Sequence, residues 1–293
     1  MTGWSEWQTL HVSPSFTPAT LTETLDGGQA FRWRREHATS WLGIWGPCVA
    51  RLQLANDQAL QWSAPTAIAP RVAAALPTYL ALDTDFVALA DQLPWRSDTI
   101  LANALSNWRG LRLLRQPFDE TLLCFLCSAS KRIAQIKQMT ETLAQRLGAE
   151  IVPGIHRLPT WDELADVPET ELRACALGFR AQHVHQTARQ LAAQPGWLEE
   201  TASLPYDAAH NRLITLPGVG PKIADCVLLF GAARYSAFPV DTWVLKTMSR
   251  RYGLTAWTGA HVAHFGRVHF GANAGFAQQV LFADERHNGR IAG

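Results

Sequence analysis

Residues 216–226 read LPGVGPKIADC. Pro217, Gly218, Gly220 and Pro221 crowd together, and Lys222 then opens an apolar run to Phe230 that only Asp225 interrupts. The preceding residues, 206–214, read as a short helix, which the proline–glycine segment breaks. Gly220 suits the N-cap of a second helix and Pro221 its first position, where a missing N–H is harmless. The pattern is helix, tight glycine turn, helix, with Gly231 the expected stop. Glycines in the turn let backbone N–H groups approach a ligand, and the positive end of the second helix points the same way. A phosphate would bind well there. The plain alternative is a structural turn between two packed helices.

Lys222 falls in the first turn of the second helix, beside the apolar side that carries Cys226, Leu229 and Phe230. A solvated pair with Asp225 is the simple account. Against it stand the shared apolar face and the general disfavour of cations at a helix N-terminus. Both would help a nucleophile. A free lysine has a pKa near about 10.4, and attack requires the neutral amine. Lowering it by about three units takes roughly 4 kcal/mol. A helix end supplies at most about 2 kcal/mol, so desolvation must supply the remainder. Downstream, Phe238-Pro239-Val240-Asp241 precedes a helical run from Thr242 to Tyr252. Asp241 fits the N-cap of that run, which is a sufficient structural reason for it. One helix and one turn separate Lys222 from Asp241, so the two helix starts can face each other.

The rest of the chain divides in two. Residues 31–62 read as short strands, FRWRRE, WLGIWG, VARLQL and ALQWS, separated by Gly, Pro and Asn-Asp punctuation. An antiparallel sheet is expected over about the first 65 residues, with helix from near Pro70. Beyond residue 100 the spacing is helical: Ile133, Ile136, Thr140, Leu143 and Leu147 share a face, and Gly148 suits a C′ glycine. Further helices are expected from Leu172 to Leu177 before Gly178, and from His183 to Ala193. The fold class is therefore α+β, an N-terminal antiparallel β-rich domain (residues 1–100) followed by a two-part all-α body (101–205 and 206–293).

Composition excludes several classes. Of 293 residues, 47% are apolar and 17% charged, a folded rather than disordered balance. No uninterrupted apolar stretch has the length of a membrane span, and no membrane partner is expected. The first residues, MTGWSEWQTL, have neither a basic n-region nor an apolar h-region. Five cysteines, 48, 124, 127, 175 and 226, lack framework spacing, so a reducing, cytoplasmic setting is expected. A net charge of +1 gives no strong global field. The arginine clusters at 32–35 and 109–115 read as solvated faces, and the twelve tryptophans mostly as packing.

The hairpin followed by FPVD resembles the helix-hairpin-helix, Gly/Pro…Asp superfamily of DNA base-excision glycosylases, and more closely its 8-oxoguanine DNA glycosylases. GGQAFRW (27–33), RGLRLLRQ (109–116), FLCSASKRIAQI (125–136), LGFRAQHV (177–184) and GANAGFAQQVLF (271–282) match that family's segments in order. The resemblance implies a TBP-like β-rich N-terminal domain and a helix-hairpin-helix glycosylase body. It implies that a damaged purine is flipped out of double-stranded DNA into a pocket. Lys222 would attack the sugar and displace the base, Asp241 would stabilise the cationic sugar, and the Schiff base would permit β-elimination. The Gly28 carbonyl would accept the N7–H that 8-oxoguanine has and guanine lacks. Gln278 would read the pairing edge, with Phe282 and Cys226 on the two faces of the base. Phe179 would wedge between bases, and Arg180 would read the cytosine left behind. Ser130, Lys131, Gly218, Gly220 and Trp243 would contact DNA. The resemblance implies no metal and no organic cofactor for the chemistry, a monomer, and a nucleoid-associated location; a cation on the hairpin carbonyls would be purely structural.

Departures from the family pattern lie around the opposing base. Ser130-Lys131-Arg132 stand where eukaryotic-type members have an asparagine-rich stretch, Gln135 where they have an arginine, and Trp243 where they have a histidine. Leu281 to Gly293 holds no cysteine, which argues against an iron–sulfur loop. Cys124 and Cys127 lack a second pair, so packing is favoured over zinc. His261, His264 and His269 have no acidic partner spaced with them and read as surface or DNA-facing. The two rival readings are a monofunctional alkylated-purine glycosylase, which would lack Lys222, and a DNA-binding module without catalysis, which would lack Lys222 or Asp241.

Overall fold

The computed structural model describes residues 3–37, 39–56 and 58–288. In chain order the first elements are β1 (Gln8–Leu10), α1 (Pro18–Asp26), β2 (Trp33–Arg35), β3 (Ser40–Trp45), β4 (Cys48–Leu54), β5 (Leu60–Ser63) and α2 (Ala69–Tyr79). The helical body follows with α3 (Phe86–Asp91), α4 (Thr99–Asn107), α5 (Phe118–Ser128) and α6 (Ile133–Leu147). A small β6–β7 hairpin (Glu150–Val152, Ile155–His156) leads to α7 (Trp161–Ala165), α8 (Glu169–Leu172), α9 (Arg180–Ala192) and α10 (Trp197–Ser203). The last five helices are α11 (Tyr206–Leu213), α12 (Pro221–Ala232), α13 (Thr242–Tyr252), α14 (Gly259–Phe270) and α15 (Ala274–Asn288).

The five-stranded sheet is antiparallel, in the order β1-β5-β4-β3-β2. The four expected strands are present. The first strand of the sheet, β1, and helix α1 were not expected. Thr17 caps α1 by accepting from the Thr20 N–H, with Pro18 opening the helix, a start signal followed by too few residues to show a period. One buried cluster unites the sheet with α1 and α2 through Trp33, Trp45, Leu25 and Val72, and draws in Leu114 and Val152 from beyond residue 100. A second, larger cluster fills the helical body, and Phe31 and Phe86 belong to it.

Three misreadings in the helical body share a cause, close approach between elements. Gly231 does not stop α12, which ends at Ala233 in the left-handed region; a Cβ at Gly231 would lie 3.0 Å from Phe118 Cδ2, so α5 packs directly on α12 there. Gly148 is extended rather than left-handed, and a Cβ there would meet the Arg157 carbonyl at 1.8 Å. Arg112 is buried instead of solvated: it donates to the Ala81 and Ser13 carbonyls and lies over the Phe86 ring. Arg32 likewise turns inward, to Glu141 and to the Thr140 and His156 carbonyls. These buried guanidiniums stitch the sheet unit to the helices.

Candidate functional site

The α11–α12 hairpin forms as the glycines and prolines dictate. Gly220 is an extended N-cap, Pro221 begins α12, and Lys222 stands in its first turn. Gly218 has φ +78 and lies against α9: a Cβ there would sit 2.5 Å from His183 Nδ1. Gly220 faces open space and lines the cleft. The two glycines therefore serve different ends, one a close approach and the other access.

Lys222 is half-buried. Its Nζ lies 3.4 Å from Ser128 Oγ and 5.1 Å from the centroid of the Phe125 ring. Phe125 stacks on Phe230 with 13° between the planes, so α5 and α12 together build the apolar side of the lysine. Cys226 lies beside the amine, and burial pushes its thiol up to about 12. It remains a neutral thiol and an apolar wall. The solvated Lys222–Asp225 pair does not form, because Asp225 is buried and accepts from the Tyr206 hydroxyl at 2.6 Å. Asp241 caps α13, accepting from the Val244 N–H at 2.8 Å.

A cleft of about 1200 Å³ opens between the two helix starts and extends to the sheet unit. Lys222, Asp241, Gly28, Cys226, Gln278, Phe282, Ser130, Lys131, Gly220 and Trp243 all line it. Gly28 sits at φ +101 on the loop after α1, within reach of Ile133. That loop is pinned through Gln29, whose amide donates to the Arg112 carbonyl and accepts from the Leu114 N–H. Gln116 completes the clamp by donating to the Gln29 carbonyl. Among the described residues no donor reaches the Gly28 carbonyl. Across the cleft, Gln278 is buried on α15 and accepts from Gln279, while the Phe282 ring meets Trp243 edge-on at 6.4 Å.

Three of the expected DNA-contacting residues lie outside this lining: Gly218, Phe179 and Arg180. Phe179 is 55% exposed, so it is not the buried contact of a helix cap. It leans edge-on against His183, the same side chain that underlies Gly218. Arg180 is only 2% exposed and donates to the Ala129 and Leu177 carbonyls. It is a brace for the turn that carries Ser130 and Lys131 rather than a presented reader. Gln135 is also engaged, capping α6 by accepting from the Arg132 N–H. Sequence reasoning missed Phe125, Arg286, which also lines the cleft, and Gln29; nothing but their place in the fold marks them. His269 pairs with Asp98 at 2.9 Å, a partner distant in sequence, and no metal-binding group of three or more His, Cys, Asp or Glu occurs among the described residues.

A hairpin lysine and an N-cap aspartate sharing a cleft large enough to admit a nucleobase define the helix-hairpin-helix base-excision class. Two family models match in succession: 8-oxoguanine DNA glycosylase, N-terminal domain, over residues 12–122, and HhH-GPD superfamily base excision DNA repair protein over 123–265. The chain is 34% identical to N-glycosylase/DNA lyase OGG1 of Arabidopsis thaliana, over 97% of this chain and 81% of that one. The Clostridium acetobutylicum 8-oxoguanine glycosylase/lyase, solved with double-stranded DNA containing cytosine opposite 8-oxoguanine, superposes with a TM-score of 0.85 at 32% identity, covering 92% of each chain. A 3-methyladenine DNA glycosylase from Archaeoglobus fulgidus shares the fold, with a TM-score of 0.74 at 17% identity over 96% of this chain and 99% of that one. This chain belongs to the 8-oxoguanine DNA glycosylase family.

Proposed function

We infer that this protein is a bifunctional DNA glycosylase/lyase that excises 8-oxoguanine from duplex DNA and cuts the strand at the resulting site, with Lys222 as nucleophile. The observation that carries the reading is the single cleft shared by Lys222, Asp241, Gly28, Gln278 and Phe282. In this reading the lesion is extruded from the duplex and its purine enters the cleft. The Lys222 amine bonds to C1′ as the glycosidic bond breaks, and the base departs with that electron pair. The Asp241 carboxylate, fixed at its helix start, stabilises positive charge on the sugar. Loss of the 2′ proton from the imine then expels the 3′ phosphate. The Gly28 carbonyl, free of other donors, takes the N7–H. Guanine would leave it unpaired, a strong basis for discrimination. Gln278 holds the pairing edge, and Phe282 and the neutral Cys226 thiol sandwich the ring.

Phe179, exposed beside the hairpin, fills the space the lesion vacates, and Ser130, Lys131, Gly220 and Trp243 meet the backbone around it. Gly218 supports the hairpin from behind. The presence of Lys222 favours this activity over water-mediated removal of alkylated purines on the same fold. The test is borohydride trapping on an 8-oxoguanine duplex. Wild type should form a covalent adduct, and Lys222→Gln should form none. Equal adduct from the variant would remove Lys222 from the role.

A further inference from the structure

Helix α15 contributes Gln278, Phe282 and Arg286 to the cleft, spaced so that they share one face of the helix. Gly27 and Gly28 line the cleft from the loop after α1. These two parts of the lining come from opposite ends of the chain, and the reaction as drawn gives no group the task of fixing their separation.

Glu23 of α1 is 5% exposed, and that reaction makes no use of it. Its carboxylate meets α15. Arg286 Nη1 lies 3.4 Å from each carboxylate oxygen, and His287 Nε2 lies 2.9 Å from Oε2. An ionised carboxylate only accepts, so the His287 nitrogen donates. Arg286 Nη1 also donates to the Asp26 carbonyl at 3.2 Å, in the last turn of α1, where a helix leaves its carbonyls without internal partners. Glu23 lies directly under the loop that presents Gly28 as well. A Cβ on Gly27 would stand 2.5 Å from Glu23 Oε1, so the carboxylate packs against the residue before Gly28.

Other ties of these elements run elsewhere. Asp284 accepts from Asn107 at the end of α4 and from Arg251 of α13, and Glu285 accepts from Arg251 too. The Gln29 clamp holds the Gly28 loop to the Arg112–Gln116 segment, and Lys137 of α6 pairs with Asp26 at 2.7 Å. Among the described residues, the hydrogen bonds that join α15 to α1 are those of Arg286 and His287. Trp108 backs this clasp, its ring centroid 4.8 Å from that of His287.

We propose that Glu23 is a positioning residue for lesion recognition: through Arg286 and His287 it sets the spacing between the Gly28 carbonyl and the Gln278 and Phe282 side chains, a role that rests on the reading of those three residues given above. A base gripped from two edges feels that spacing directly, because hydrogen bonds have a narrow range of length. A sugar that has already lost its base does not. A buried ion pair brings little stability over apolar packing, so registration of the two sides accounts better for its presence.

Glu23→Met removes both acceptors at similar length, and Glu23→Gln keeps one. Single-turnover excision of 8-oxoguanine and cutting of a preformed abasic site are measured on the same preparations. The methionine variant should excise about tenfold more slowly, the worth of roughly one hydrogen bond, while its abasic cutting stays within about twofold of wild type. Glutamine should recover excision to within about threefold of wild type. If the methionine variant does not fold, Glu23→Ala replaces it under the same expectations. Unchanged excision, equal loss of the two activities, or a selective loss that glutamine does not recover would overturn the proposal. Wild type that released 7-deaza-8-oxoguanine as fast as 8-oxoguanine would instead overturn the reading of Gly28.

Discussion

At the scale of single residues, two positions combine a structural duty with a proposed chemical one, and substitution can separate them. Asp241 caps α13 through its Oδ1, and asparagine caps as well as aspartate. Asp241→Asn should therefore change unfolding free energy by less than about 0.5 kcal/mol in denaturant titration. Excision should nonetheless fall by at least about a hundredfold, because the charge that faces the developing cation is gone. Gly28 has φ +101, and an alanine methyl would also stand 3.1 Å from Ile133 Cδ1. Gly28→Ala should lose most excision of 8-oxoguanine yet still cut a preformed abasic site, since no base needs reading there. The ratio of the two rates in one preparation checks this, and wild type should leave 7-deaza-8-oxoguanine in place.

At the scale of elements, what the chain reveals depends on how local the cause is. The hairpin was legible because turn chemistry, cap and lysine all lie within one short segment, and α13 was legible from its Asp241 start. Gly148 and Gly231 were misread because their reason is a neighbour's backbone or ring, which no local pattern records. Arg32 and Arg112 looked like surface charge because their partners include carbonyls, and carbonyls occur at every position. The start of α5 offers a test of such hidden contacts. Glu120 accepts from the Gly46 N–H in the β3–β4 turn at 2.9 Å, and burial lifts its carboxyl from 4.5 to about 7. The folded state thus prefers the protonated form. Its contribution is complete below pH 4.5 and is lost as pH rises through about 7. Glu120→Gln mimics the protonated group. The variant's melting temperature should match wild type at about pH 4 and exceed it by a constant margin above about pH 8.

At the scale of the whole molecule, the cleft has an asymmetric design. The side that carries Gly28 is firmly held, through Gln29 and the residues around Gln116. Its opposing side is lightly equipped, with Arg180 braced inward and Gln135 engaged as a helix cap. Excision opposite cytosine should therefore exceed excision opposite adenine by less than about tenfold, the worth of roughly one hydrogen-bonded contact. Single-turnover rates on the two duplexes decide it, and a ratio in the thousands would mean that Arg180 swings out on DNA.

The Gln29 clamp has a consequence for how the protein becomes dangerous or safe. The amine and the carboxylate both come from the last third of the chain, but the Gly28 carbonyl, proposed to tell an oxidised purine from an intact one, hangs from the first thirty residues. The helices alone would hold a blade without an inspector. Because the Gly28 loop is bolted to the segment between Arg112 and Gln116, in the proposed reading a chain that has not brought its two halves together has no means of choosing where to cut.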